Sequence, residues 1–511
     1  GLVGSEMCIR DRSHILYIKK MRTAIIVIEL CSILFCCTSL FASGKDKDKV
    51  FIQFIMNGQS LSTGHQSYPV ISTEHFKGNY MLGNQVWINY GNTGELKFEP
   101  LVGTVSEAFA HEKHFKSRRA GTIAECPLLG AVNHLRLKQP KMPRILATSV
   151  GVSGASVEEL SKESETRTAY KEFVTSLQSA ARVAAREDAK ICCPAIFWMQ
   201  GEFNYDPNPE KGLRANVPNT TDKREYKKLL VNIKNNMQKD ILQQYGQLHK
   251  PVFITYQTGA QYMRDTLSIS MAQLEAANEY DDIICAGPIY PMTDRGGHLD
   301  GNGYRWFGEM LGKVYYQSQV QGKPFRPLQP TAIARETLPT QIRIKYHVPV
   351  RPLVFDTYLI PKIKDYGFEV YLCDYRQENK QIIKQVEIDG DDVVLTCEQP
   401  LVGDVIVVYA GTRSFIEDRP KGKDGLQGHG NLRDGDPYKA FFKYEDLDEV
   451  QKDGTFIHPR DSFETRLRPD YEPKDRKGRV IYGKKYPLYN FSVGFYYKLP
   501  AEDDQISVLG N

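Results

Sequence analysis

The stretch Val50-Phe51-Ile52-Gln53-Phe54-Ile55-Met56 runs into Asn57-Gly58-Gln59-Ser60. A short run this apolar, bounded by a turn, suits a strand buried in a sheet. A buried strand that ends in a glycine-bearing turn can push one hydroxyl out at the carboxyl edge of that sheet. In open α/β sheets this edge is where ligands bind. Ser60 is therefore a candidate nucleophile, provided that a base and an oxyanion site lie elsewhere in the chain. The same pattern also suits a serine that closes a strand or caps the next helix, so the rest of the chain has to decide.

Strand-like and helical stretches alternate from Val50 to about Gln319. The expected strands are Val50–Met56, Ile145–Val150, Ala195–Met199, Val252–Tyr256 and Asp282–Ala286. Between and after them lie amphipathic stretches at Val157–Ala189, Lys223–Tyr245, Ser268–Tyr280 and Gly303–Gln317. This rhythm predicts an α/β domain, residues 45–321, with a parallel sheet and helices on both faces. The segment Tyr68 to Gln139 interrupts the rhythm and is expected to form loops and a helix framing the active face.

The character changes at the proline-rich linker Gly322-Lys323-Pro324-Phe325-Arg326-Pro327-Leu328-Gln329-Pro330. Beyond it the runs are shorter and β-branched: Gln341–Tyr346, Gly367–Cys373, Gln381–Ile388, Asp392–Cys397 and Asp404–Tyr409. Asp389-Gly390 is a hairpin signal. Residues 331–511 thus read as a β-rich accessory domain resembling a small β-sandwich. Its segment 415–485 is expected to be irregular, and Tyr489–Tyr497 to supply a last strand.

Residues 1–12 read like translated transposon adapter, and 1–20 are set aside as upstream of Met21. From Met21 the order is a basic residue, an apolar stretch to Phe41, then Ala42-Ser43-Gly44 and a charged Lys45–Lys49. That order predicts a signal peptide over 21–44, hence a secreted or periplasmic bacterial protein with no stable membrane insertion after cleavage. The formal net charge of +4, without a long basic tract, argues against nucleic acid as a partner. Of ten cysteines, Cys8, Cys31, Cys36 and Cys37 fall in the excluded or cleaved part. The others are too few for a disulfide scaffold. Cys192 and Cys193 read as small core residues on opposite faces of a strand, and a Cys373–Cys397 bridge is left open. No CxxC or HExxH spacing appears, so neither a metal nor another cofactor is expected.

Three later segments answer the question that Ser60 poses. The strand ending at Val150 leads into Gly151-Val152-Ser153-Gly154-Ala155-Ser156, whose backbone N–H groups suit an anion; Gly154 is the candidate donor. The next strand ends in Trp198-Met199-Gln200-Gly201-Glu202. There the Gln200 amide is a candidate oxyanion donor, and Glu202 is expected to orient neighbours or hold a loop. The segment Thr293-Asp294-Arg295-Gly296-Gly297-His298-Leu299-Asp300 follows the last parallel strand. His298 is positioned to act as general base and acid, with Asp294 holding its tautomer. His65 reads as lining the site. His458 lies in the irregular part of the second region, and His111 and His114 read as solvated.

Ser60, Gly154, Gln200 and Asp294/His298 occur in an order that resembles the SGNH-hydrolase superfamily, and within it the carbohydrate and sialic acid O-acetylesterases. The resemblance spans about Val50 to Gln319 and rests on Gly58-Gln59-Ser60, Ser153-Gly154-Ala155-Ser156 and, most specifically, Trp198-Met199-Gln200-Gly201-Glu202. It implies a three-layer, flavodoxin-like domain and a secreted serine esterase acting on an acetylated carbohydrate. Ser60, Gly154 and Gln200 would form the oxyanion hole, with Gln59, Glu202 and His65 in supporting or substrate-binding roles. Leu61 stands where an asparagine is common. Asp294 precedes the histidine by four residues instead of three, and Leu299 replaces a proline, so Asp300 or a Ser–His dyad remain alternatives. The rival readings are a non-catalytic carbohydrate-binding protein on an esterase-like fold, and an esterase of lipids or thioesters.

Overall fold

The computed structural model describes residues 49–509 except 66, 68–69, 89–95, 105–124, 166–168, 206–216, 260–265, 295–297, 414–427, 447–448, 451–455, 459–468, 471, 473 and 476–477. The expected leader, His111 and His114 lie outside the described residues. Among the described residues no helix is long and apolar enough to cross a membrane.

The α/β part contains, in chain order, β1 (Val50–Gly58), α1 (Ser60–Thr63), β2 (Asn79–Leu82), β3 (Phe98–Pro100), α2 (Pro127–Lys138) and β4 (Arg144–Ser149). It continues with α3 (Val157–Leu160), α4 (Ala169–Arg186), β5 (Lys190–Met199), α5 (Lys223–Tyr245), β6 (Val252–Gln257), α6 (Ser268–Glu279), β7 (Ile283–Pro288) and α7 (Gly301–Tyr315). The sheet has seven strands in the order β3-β2-β4-β1-β5-β6-β7, all parallel except the β2–β3 pair. Taken alone, its five long strands run 2-1-3-4-5, the flavodoxin-like order. The chain leaves β1 toward one side and crosses back to the other at β5. The carboxyl ends of β4, β1 and β5 therefore border the switch-point crevice.

The layers follow from the alternation of side chains along each strand. Ile52, Phe54 and Met56 of β1 pack with α2 and α7, whereas Ile55 joins Phe173, Leu177, Tyr226 and Ile233 of α4 and α5 on the other face. Cys192 and Cys193 fall on those opposite faces, both buried. α2 and α7 cross closely through glycine: a Cβ on Gly308 would sit 2.2 Å from the Pro127 carbonyl oxygen. The stretch expected as one helix over Val157–Ala189 is two. After Leu160, Ser161 turns extended, its hydroxyl donating 2.8 Å to the Val157 carbonyl, so a local side-chain bond competes with helix propagation.

Beyond α7, a five-stranded antiparallel sheet contains Gln329–Arg335, Gln341–His347, Ile383–Asp389, Asp392–Cys397 and Gln505–Ser507. A three-stranded one contains Phe368–Leu372, Val405–Tyr409 and Phe495–Leu499. The proline-rich linker gives way to a strand as early as Gln329. Pro330 is accommodated because the pairing with the next strand shifts register between Pro330 and Ala332. Cys373, exposed just beyond the strand Phe368–Leu372, and Cys397, buried at the end of a strand in the other sheet, are both free thiols, so no bridge joins them.

One apolar core runs from α2 and α7 through Ile333, Ile342, Val370 and Tyr409 of the β-rich region. Residues 436–445 and 479–490, expected to be largely irregular, wrap α7 along its length. Asn302 exchanges two hydrogen bonds with the Glu445 backbone, at 2.9 and 2.7 Å, and Trp306 Nε1 donates to the Pro487 carbonyl at 2.7 Å. Glu309 accepts from the Phe441 and Phe442 amides at 2.7 and 3.0 Å and meets His134 Nδ1 at 2.9 Å. Buried Lys313 reaches Asp436 at 2.6 Å and the Leu488 carbonyl at 2.6 Å. These charged and polar groups are buried because the C-terminal segments satisfy them.

Candidate active site

At the end of β1, Gly58 pairs with Met199 of β5. Its φ is +140° and a Cβ there would lie 2.1 Å from the Met199 carbonyl oxygen, so only glycine fits the turn. The Gln59 N–H donates to that oxygen at 2.8 Å, and the chain enters α1 with Ser60 as its first residue. His298 Nε2 lies 2.8 Å from Ser60 Oγ, across 238 residues of sequence. A nucleophile and a base at hydrogen-bond distance are the core of an acyl-transfer site.

His298 is carried by the loop between β7 and α7. Asp294 and Leu299 form a backbone bridge that closes this loop, bringing Asp294 to the neck of the turn that holds the imidazole. Asp300 does something else. It caps α7, accepting from the Gly303 N–H at 2.7 Å and from the Thr293 hydroxyl. Burial holds its carboxyl above the usual carboxylate range, opposed by those two donors. His65 lies beside the imidazole, ring centroids 4.9 Å apart, its backbone N–H on the Ser60 carbonyl at 3.1 Å.

The turn after β4 is bound to the turn that carries Ser60. The Val152 N–H donates to the Gly58 carbonyl at 2.8 Å, and the Ser153 and Thr63 hydroxyls meet at 3.3 Å. Gly154 takes a left-handed conformation, φ +65°. Its N–H and that of Ser60 donate to no group among the described residues, so two backbone donors remain for an incoming oxyanion.

Gln200 departs from its expected role as a third donor. It is buried, and its Nε2 is committed to Asn204 Oδ1 at 2.6 Å and the Ala155 carbonyl at 3.3 Å, while Oε1 accepts from the Tyr226 hydroxyl at 2.9 Å. The amide thus braces the residue next to Gly154. Gln59 is likewise a clamp: its Oε1 accepts from the Gly201 and Phe203 amides at 3.0 and 2.9 Å, which ties β5 to the serine turn. Glu202 holds the same corner from below, accepting from the buried Tyr256 hydroxyl. Burial raises its pKa to about 7, against the opposing pull of that hydroxyl and of backbone N–H groups. The motif around Gln200 is therefore scaffolding that aims the turns.

Asn204 and Tyr226 complete this brace and escaped the sequence reading. Asn204 stands one short turn beyond Gln200, accepting from the Val157 N–H at 3.0 Å and donating to Glu158 at 3.0 Å. Its only signal was its place four residues after Gln200; Tyr226 had none within its amphipathic helix. Among the described residues no cluster of His, Cys, Asp and Glu could hold a metal ion.

No protein-family model matches the sequence, and no curated protein does. Solved structures with a similar fold include a carbohydrate acetylesterase from Xanthomonas citri, at a TM-score of 0.46 and 12% identity over 75% of this chain and 77% of that one. NanS aligns at a TM-score of 0.31 and 14% identity over 49% of this chain and 80% of its own. A family two carbohydrate esterase from Clostridium thermocellum, solved with cellohexaose, aligns at 0.27 and 9% over 52% and 64%. Likeness at this level carries no argument about chemistry.

Proposed function

We propose that the chain is an exported serine esterase that removes O-acetyl groups from a carbohydrate. The observation that carries this reading is the 2.8 Å contact between Ser60 Oγ and His298 Nε2 at the switch point of the sheet. His298 takes the serine proton as Oγ attacks the ester carbonyl. The developing oxyanion rests on the Ser60 and Gly154 N–H groups, donors fixed in place before the charge appears. His298 then protonates the leaving sugar hydroxyl, and a water activated by the same imidazole releases acetate from the acyl-serine. Asp294, at the neck of the His298 loop, is the third member, holding the tautomer that exposes Nε2 as acceptor.

The carbohydrate part of the reading rests on the Trp198-Met199-Gln200-Gly201-Glu202 resemblance, and export rests on the leader at 21–44. Acetate release from acetyl-xylan, acetyl-pectin, O-acetyl sialate and a long-chain ester, compared side by side, tests the substrate class. Ser60→Ala should lower release by at least about 10⁴-fold. A fluorophosphonate probe should label Ser60 in the wild type; an unreactive serine would instead favour a binding protein.

A further inference from the structure

Arg479 lies in the C-terminal wrap, far in sequence from the loop that carries Asp294 and His298, yet its guanidinium is buried against the base of that loop. Nη1 donates to the Pro291 carbonyl at 2.8 Å and to the Leu359 carbonyl at 2.8 Å, stitching the loop to the β-rich region. Nε donates to Asp475 at 2.7 Å, and Nη2 lies 2.7 Å from the same oxygen but out of line for a hydrogen bond. Asp475 in turn accepts from the Arg479 N–H at 2.7 Å, so the pair is a closed unit that presents one face of a cation to the loop.

A carboxylate whose task is to hold an imidazole needs two things: a fixed backbone and a charge that persists in acid. The geometry points to Arg479 as a positioning residue of the esterase, fixing the Asp294–His298 loop through Pro291 and setting a buried cation at the base of that loop. The inference rests on the esterase reading above. The charged and titratable groups around this corner are Asp475 and Tyr444 from the wrap, Asp300 at the start of α7, Asp294 itself, and His65 beside the imidazole. Burial would draw the guanidinium's pKa down, yet Asp475, Tyr444 and Asp294 together hold it above its ordinary value. The guanidinium therefore stays charged at the base of the loop.

The test is the rate of Ser60 labelling by a fluorophosphonate across pH, with urea unfolding recorded on every variant. Arg479→Gln should slow labelling about 10- to 100-fold and move the acidic limb of the profile upward by about half a pH unit or more, since the buried cation at the base of the loop is gone. Arg479→Lys restores a charge without the paired carbonyl contacts. It should return the limb to its wild-type position while labelling stays several-fold slow, and it provides the readout if the glutamine variant fails to fold. Arg479→Gln or Arg479→Lys variants that are folded and label with the wild-type rate and pH profile would overturn the inference while leaving the esterase reading intact. Wild-type protein that labels no faster than Ser60→Ala would overturn both.

Discussion

Glu202→Gln isolates the energetic consequence of burying a carboxyl under the serine turn. In the folded chain burial raises the Glu202 pKa from an ordinary 4.5 to about 7. Between those values the folded state holds a proton that the unfolded state has released. Stability must therefore fall as pH rises through this window, and it is fully retained below it. At about 1.4 kcal/mol per unit, the separation corresponds to a loss of about 3 kcal/mol on going from below the unfolded pKa to above the folded one. Glutamine has no such proton to lose. It also leaves the Tyr256 hydroxyl an acceptor, although its amide meets new neighbours and shifts the absolute stability. The informative quantity is thus a double difference: urea unfolding of wild type and variant, each at about pH 5 and about pH 8.5. The wild type should lose about 2.5 kcal/mol more than Glu202→Gln between the two conditions, because the lower pH already lies slightly above the unfolded pKa. Other buried carboxyls such as Asp300 and Glu125 titrate in both proteins and cancel. Equal pH dependence in the two proteins, to within about 0.5 kcal/mol, would refute the argument.

Three further substitutions probe the scaffold. Gln200→Ala removes one partner each from Asn204, the Ala155 carbonyl and the Tyr226 hydroxyl and leaves a void, and should cost about 2–4 kcal/mol in thermal or urea unfolding; unchanged stability with lost turnover would restore Gln200 as an oxyanion donor. Gly58→Ala forces a Cβ into the Met199 carbonyl at positive φ and should destabilise by more than about 3 kcal/mol or prevent accumulation of folded protein, which soluble yield and a melting curve will show. Lys313→Met leaves Asp436 buried without its cation and should cost about 3–5 kcal/mol by urea unfolding; a neutral outcome would mean that the Asn490 and backbone contacts suffice.

The sheet and the strand-end turn that brings Ser60 to His298 were legible in the sequence for a shared reason. Apolar runs such as Val50–Met56 have few other fates, and the glycine turns after them mark strand ends. Lys223–Tyr245 was read to its observed limits because Asp222 caps one end and Gly246 the other. The short β2 and β3 carry too few residues for a period to show. The strand Gln329–Arg335 was hidden by its proline. Gln200 is the more instructive case. A glutamine at a strand end has the same composition whether its amide faces the crevice or the interior. Its orientation is set by Ala155, Asn204 and Tyr226, whose positions only the folded chain specifies. Arg479 was beyond reach because no local pattern links it to a loop so far upstream.

The wrap around α7 also constrains how the molecule is made. During synthesis, Arg305, Glu309 and Lys313 emerge well before residues 436–490, which supply their partners. Until those segments arrive, Lys313 has no buried counterpart and Arg305 and Glu309 have only part of theirs, so the docking of the helix behind His298 against α2 is incomplete. The amino-terminal half is therefore expected to wait in a loosely assembled state and to close in one late step, typical of contacts that span large sequence separations. A nascent or C-terminally clipped chain would have every residue of the proposed esterase site and no firm site, which ties the onset of activity to completion of the polypeptide.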